Sequence, residues 1–167
     1  MSIMTTLATD DPHVIVIRGH AYVEAMLKEI LARLLRNPED FNIQRMGFRQ
    51  ALRLADGFGV LEAASVRALS ALADLRNTLA HSITAQMTKK LEDDFVNVVR
   101  QHPNLAQALT HAEPGAWGRT RVAVAALFVL LTLAFIRLGS EMPGVREMRA
   151  RMALPFEAQN FDAACWS

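Results

Sequence analysis

Toward the end of a long amphipathic stretch the chain reads Arg76-Asn77-Thr78-Leu79-Ala80-His81. An imidazole gives and takes protons near neutral pH, while a guanidinium stays charged and offers several N–H donors to an anion. Arginine plus histidine is a minimum set for phosphodiester chemistry. In RNA the 2′-hydroxyl is an internal nucleophile, so a protein need only move protons and stabilise charge on the phosphate as it becomes five-coordinate. Such a reaction requires no metal. Arg76 and His81 are five apart, so on an ideal helix they point about 140° from each other. They converge only where the helix ends or loosens near His81, as Ser82, Thr84 and the polar residues that follow would allow. Asn77 either orients His81 or a phosphate, or hydrogen-bonds within the helix end. The structural alternative for Arg76 is a rim arginine with its methylenes along Leu72 and Leu79 and its head on Asp74 or Glu62. For His81 it is a helix C-terminal histidine bonded to a last-turn carbonyl.

Other residue patterns are less pointed. Arg45, Arg49 and Arg53 recur at intervals of four and either track an RNA backbone or form a solvated basic face. His20 lies one turn before Glu24, an acid/base or ligand pattern, but no second ligand pair accompanies it and it reads as a seam or rim residue. His13, His102 and His111 show no metal-ligand spacing, and Glu92-Asp93-Asp94 reads as a solvated acidic face. There is no glycine-rich phosphate loop, Ser-His-Asp order or Cys-His pairing. No metal or cofactor is expected.

The elements that must position these residues are helical. Asp11-Pro12 is a helix start and Asn37-Pro38 a stop; between them Val16, Val23, Leu27, Ile30 and Leu34 recur at helical spacing, giving a first helix over about 12 to 36. Asn42 is expected to cap a second helix, with Gly47, Ala51, Leu54 and Phe58 on one face and Arg45, Arg49 and Arg53 on another, ending at Gly57-Phe58-Gly59. A third runs from about Leu61 to Ala80 with Ser65, Leu69, Leu72, Arg76 and Leu79 on one stripe, so Arg76 sits in line with leucines. Leu91, Phe95 and Val98 mark a fourth that stops at His102-Pro103, and a brief piece follows from Asn104 to Ala112. An apolar helix runs from about Trp117 to Leu138 with Gly139 as its stop, then a short helix over about 145 to 153 and a tail. The expectation is one all-α domain over residues 1–167, a helical bundle with an irregular N-terminus (1–10) and C-terminal tail (154–167).

Bulk properties agree with an ordinary cytoplasmic domain. The chain has 167 residues, enough to bury a core without staples, and Cys165 is its single cysteine, which excludes an internal disulfide. The acidic start and the short Val14-Ile15-Val16-Ile17 cluster do not make a signal peptide. Net charge is +1, so no global field argues for nucleic acid, although arginine outnumbers lysine fifteen to three. Val122 to Ile136 is an uncharged apolar run of 15 residues between Arg121 and Arg137. It would span roughly 22 Å, short of the roughly 30 Å hydrocarbon core, and is read as a buried central helix or subunit interface.

The pattern Arg-(Asn/Asp/His)-any three-His at the end of a helix in an all-α domain resembles the HEPN superfamily, and Arg76-Asn77-Thr78-Leu79-Ala80-His81 matches each specified position. Given the composition, about 0.05 such runs are expected by chance. The stretch Phe48 to Leu61, with Gly57-Phe58-Gly59, looks like the helix-then-glycine turn of the mannitol-operon-repressor (MltR-like) branch, so the likeness covers roughly residues 12 to 85. The resemblance implies a HEPN-like core with an additional C-terminal apolar helix, and a homodimer in which two Arg…His motifs meet. It also implies a metal-independent endoribonuclease of toxin–antitoxin or defence type. Arg76 and His81 would be catalytic, Asn77 supporting, and an antitoxin or regulatory protein would mask the cleft. The alternative within the family is a non-catalytic MltR-like transcriptional regulator or protein-interaction module. No basic recognition helix of a helix-turn-helix is present to bind an operator directly.

Overall fold

Asp11 caps the first helix, its carboxylate accepting from the backbone N–H of His13 (2.8 Å) and Val14 (3.4 Å), and Pro12 fills the first position, where no N–H is needed. Helix α1 runs Pro12–Leu34 and buries Val16, Val23, Leu27 and Ile30, as their spacing requires. The computed structural model describes residues 7–35, 37–81, 86–110 and 117–141, apart from the side chains of His81, Ser140 and Glu141. Among them every regular element is a helix, and the fold is an all-α bundle. The expected short helix over 145–153, the tail and Cys165 lie outside the described residues.

Asn42 does not cap a helix. It sits in the left-handed region (φ 48°) between two 3-10 turns, Pro38–Phe41 and Ile43–Arg45, and the second helix, α2 (Phe48–Gly57), starts only after Gly47. Asparagine tolerates this backbone better than most residues. Arg45 therefore stands outside α2, off the face that carries Arg49 and Arg53. The glycine turn after α2 is as expected: the Gly59 N–H donates to Asp56 (2.8 Å) and the Val60 N–H to Ala55 (3.2 Å), with Gly59 at φ 67°. This is a Schellman closure with glycine in its left-handed position.

Helix α3 (Ala63–His81) lies against α1, α2 and the next helix, α4 (Lys89–Arg100). Its Ser65, Leu69, Leu72 and Leu79 are buried along the expected stripe. Thr88 caps α4 by accepting from the Leu91 N–H (3.2 Å), and the short α5 (Ala106–Thr110) follows. The apolar helix, α6 (Gly118–Glu141), runs past Gly139 rather than stopping there. Glycine in a helix weakens it by only about 1 kcal/mol, which the leucine-rich turns before it outweigh.

The chain divides into two compact units, residues 1–135 and 136–167. Within the first, α6 lies beside α1. Tyr22 meets Phe128 edge-on (6.2 Å between centroids) and the Arg33 guanidinium lies 3.5 Å from the Phe135 ring centroid, a cation–π contact. A Cβ on Gly19 would fall 2.2 Å from Val124 Cγ1. These contacts step forward along both helices together, so α1 and α6 run parallel. Thr120, Ala123, Val124, Leu127 and Leu131 are buried, whereas Val129, Leu133 and Ile136 are exposed. Of the expectation, a buried central helix or a subunit interface, the burial is seen on one side of α6. With 22 residues from Gly118 to Gly139 at a mean hydropathy of 2.4, α6 is also long and apolar enough to cross a membrane, unlike the shorter run first delimited.

Glu92 departs from the expected solvated acidic face. It is 6% exposed, and its carboxylate accepts from the Thr120 N–H (3.2 Å), the Thr120 hydroxyl (3.1 Å) and Arg119 (3.0 Å), while Arg119 also reaches Asp93 (2.7 Å). A side chain of α4 thus serves a first-turn N–H group of α6, that of Thr120.

Two stability predictions follow from these contacts. Gly19→Ala should destabilise the fold by about 1–3 kcal/mol despite the better helix propensity of alanine, because Val124 is β-branched and fully buried. Glu92→Ala, which strands Arg119 and Thr120, should lower stability by about 3 kcal/mol. Urea unfolding followed by circular dichroism measures both.

Candidate functional site

On α1 and α3 a polar residue stands within the run of apolar ones along the buried stripe. His20 falls in register between Val16 and Val23, and Arg76 between Leu72 and Leu79. Where α1, α2 and α3 meet, the two interruptions share an open cleft of about 510 Å³. His20 and Glu24 enter from α1; Phe48, Arg49, Gln50 and Arg53 from the start of α2; Arg76 and Asn77 from α3.

Three guanidinium groups and one carboxylate make the cleft basic, but the arginines differ in how they are held. Arg49 is ion-paired with Asp74, both side chains well exposed. Arg53 is exposed and makes no hydrogen bond or ion pair among the described residues. Arg76 is half-buried and hydrogen-bonds only Asn77 Oδ1 (3.2 Å). Asp74, one of the two carboxylates the sequence offered to Arg76, is engaged by Arg49 instead. Arg76 therefore forms no ion pair among the described residues, and it lines the cleft.

His20, read from sequence as a seam or rim residue, is 7% exposed and packs on Phe48 with ring centroids 4.5 Å apart. Its Nδ1 lies 3.8 Å from Glu24 Oε2, and Lys28 holds the other oxygen of Glu24 at 2.8 Å. Burial lowers the His20 pKa from its ordinary 6.5; Glu24 opposes that shift and Arg76 adds to it. The ring is thus biased toward the neutral form. The sequence signal for His20 was its place on the apolar stripe of α1, where a polar residue needs a reason.

Of the other expected site residues, Asn77 and Arg53 line the cleft with Arg76, and so does Arg49, whereas Arg45 does not. The side chain of His81, and with it any convergence on Arg76, lies outside the described residues. Among the described residues no group of three or more His, Cys, Asp or Glu side chains could hold a metal.

A second histidine carries a nucleophile-like geometry that its hydrogen bonds disarm. His102 Nε2 lies 3.0 Å from the buried Ser65 hydroxyl, but His102 Nδ1 accepts from the Asn104 backbone N–H (3.2 Å). In the neutral ring the proton then sits on Nε2 and is donated to Ser65, so the ring cannot remove the serine proton. The pair ties the chain after α4 to α3.

Comparison with protein families, with curated proteins and with solved structures finds no match to this chain. The functional reading therefore rests on the cleft itself.

A buried histidine with a lowered pKa binds protons more readily in the unfolded chain. Stability is accordingly full above about pH 6.5 and falls as the pH drops from there through the folded-state pKa. His20→Gln should remove that part of the acid sensitivity. Denaturant midpoints of the two proteins, measured at steps from pH 7.5 to about 5, should converge on acidification.

Proposed function

We propose that the chain is a HEPN-type, metal-independent endoribonuclease of a toxin–antitoxin or defence type, with the phosphodiester held in the cleft by Arg76. The observation that carries the reading is Arg76 itself: a half-buried guanidinium lining an open basic cleft, with an asparagine as its one hydrogen-bond partner and no carboxylate on it among the described residues. A half-buried arginine with no carboxylate on it among the described residues keeps N–H donors that an anion can engage. A phosphodiester supplies one, and the 2′-hydroxyl of RNA supplies the nucleophile. Arg76 then stabilises the developing phosphate charge, Asn77 keeps the guanidinium directed, and His81 acts as general base or acid. Arg53 steadies the neighbouring backbone, with Arg49 joining once released from Asp74.

In this reading the protein works in the cytoplasm as a homodimer that brings two Arg76…His81 motifs together, under a protein partner that masks the cleft. The second reading is a non-catalytic regulator or interaction module of the MltR-like type. Its support is the exposed apolar series Val129, Leu133 and Ile136 on α6.

The test is incubation of the purified protein with RNA in excess EDTA. Cleavage leaving 2′,3′-cyclic phosphate and 5′-hydroxyl ends is expected, with at least a 100-fold loss in Arg76→Ala, or about 2.7 kcal/mol of transition-state stabilisation. No cleavage by the wild type, or full activity in Arg76→Ala, would leave the regulator reading in place.

A further inference from the structure

His20 combines three features that a purely structural histidine does not need. It is nine-tenths buried, its ring makes no hydrogen bond among the described residues, and it lines the same cleft as Arg76. Its ring nitrogens are nevertheless absent from the sealed, unpartnered polar atoms, of which Arg121 Nε is the one found among the described residues. The imidazole thus packs against Phe48 and lines the cleft, and its nitrogens are not sealed from solvent. Phe48 fixes one face of the ring. Glu24, itself anchored by Lys28, stands on the Nδ1 side. The negative charge 3.8 Å from Nδ1 attracts the ring proton to that side, which leaves Nε2 as the acceptor.

We propose that His20 is the catalytic base of the cleft and Glu24 its positioning residue, a division of roles that rests on the endoribonuclease reading above. His20 Nε2 takes the proton of the attacking 2′-hydroxyl. The 2′-oxygen forms its bond to phosphorus while Arg76 holds the non-bridging oxygens. The bond from phosphorus to the 5′-oxygen breaks, and that oxygen receives its proton from an acid, the part left to His81. The products are a 2′,3′-cyclic phosphate and a 5′-hydroxyl, with one proton taken up and one released.

The charges around His20 suit a base. Burial, and after it Arg76 from α3, bias it toward the neutral form, with Arg49 and Arg53 lining the same cleft from α2, while Glu24 from its own helix opposes the depression and faces the imidazolium formed during reaction.

The experiment is a pH–rate profile, in EDTA, for cleavage of a mixed-sequence oligoribonucleotide by the wild type, His20→Gln and Glu24→Gln, with circular dichroism to establish folding. The wild type should lose activity on the acid side as His20 protonates. His20→Gln should lose at least 100-fold in kcat with KM within threefold and lack that acid limb. Glu24→Gln removes the group that raises the His20 pKa, so its acid limb should move to lower pH, which a structural role would not produce. The 2′-O-methyl form of the oligonucleotide, which lacks the nucleophile, should raise the His20 pKa in histidine NMR by placing a phosphate beside it. A wild type that cleaves, with a folded His20→Gln retaining kcat within threefold and the same acid limb, overturns the role of His20 and leaves the nuclease reading standing. If His20→Gln does not fold, an unmoved limb in Glu24→Gln overturns it. A wild type that cleaves nothing overturns both.

Discussion

Helix α1 must be covered on two sides at once, and the close approach at Gly19 makes that possible. One side of α1 takes α6 at a spacing a methyl group would prevent, since a Cβ on Gly19 would collide with Val124. Another side carries His20 and Glu24 into the cleft with α2 and α3. Gly19 and His20 are sequence neighbours, so the packing contact and the chemical group are set by adjacent residues on one rigid element. Burial of His20, its contact with Phe48 and the influence of Arg76 all depend on α1 being held against its neighbours at that depth.

Much of this was legible in the sequence, for physical reasons that also mark where reading stopped. Asp11-Pro12, the Gly57-Phe58-Gly59 turn and the apolar stripes of α1 and α3 are local signals, each satisfied by residues a few positions apart. The placement of Arg76 among leucines was correct because one helix fixes it. Asn42 misled because its αL conformation joins two 3-10 turns, a choice the same residue makes as readily as capping. Arg45 shares the spacing of Arg49 and Arg53 but belongs to the second of those turns, before α2 begins. Glu92 was beyond reach from sequence: its partners, Arg119 and Thr120, lie in another helix and turn an acidic run into a buried cap. His20 was half legible, visible as an interruption of a stripe, but its neighbour Arg76 is 56 positions away.

The cleft also orders its arginines. Arg49 is occupied by an exposed carboxylate, a pairing worth little in water and readily exchanged. Arg53 is extended to solvent. Arg76 is the least exposed of the three and has no carboxylate on it among the described residues, so an incoming anion meets exposed charge at the rim and a half-buried charge inside. Arg49, by engaging Asp74, also occupies a nearby carboxylate that could otherwise pair with Arg76.

The parallel pairing of α1 with α6 has a consequence for how the molecule comes into being. Gly19 and Val124 are separated by roughly one hundred residues, so the contact that seats α1 closes one of the longest loops in the described chain, and non-local contacts of this kind form late in folding. A nascent chain can build α1, α2 and α3 while the side of α1 that receives α6 is still bare. Until α6 leaves the ribosome, His20 and Glu24 ride on a helix packed on one flank only. Assembly of the cleft is thereby tied to synthesis of a distant segment, a delay set by chain order alone.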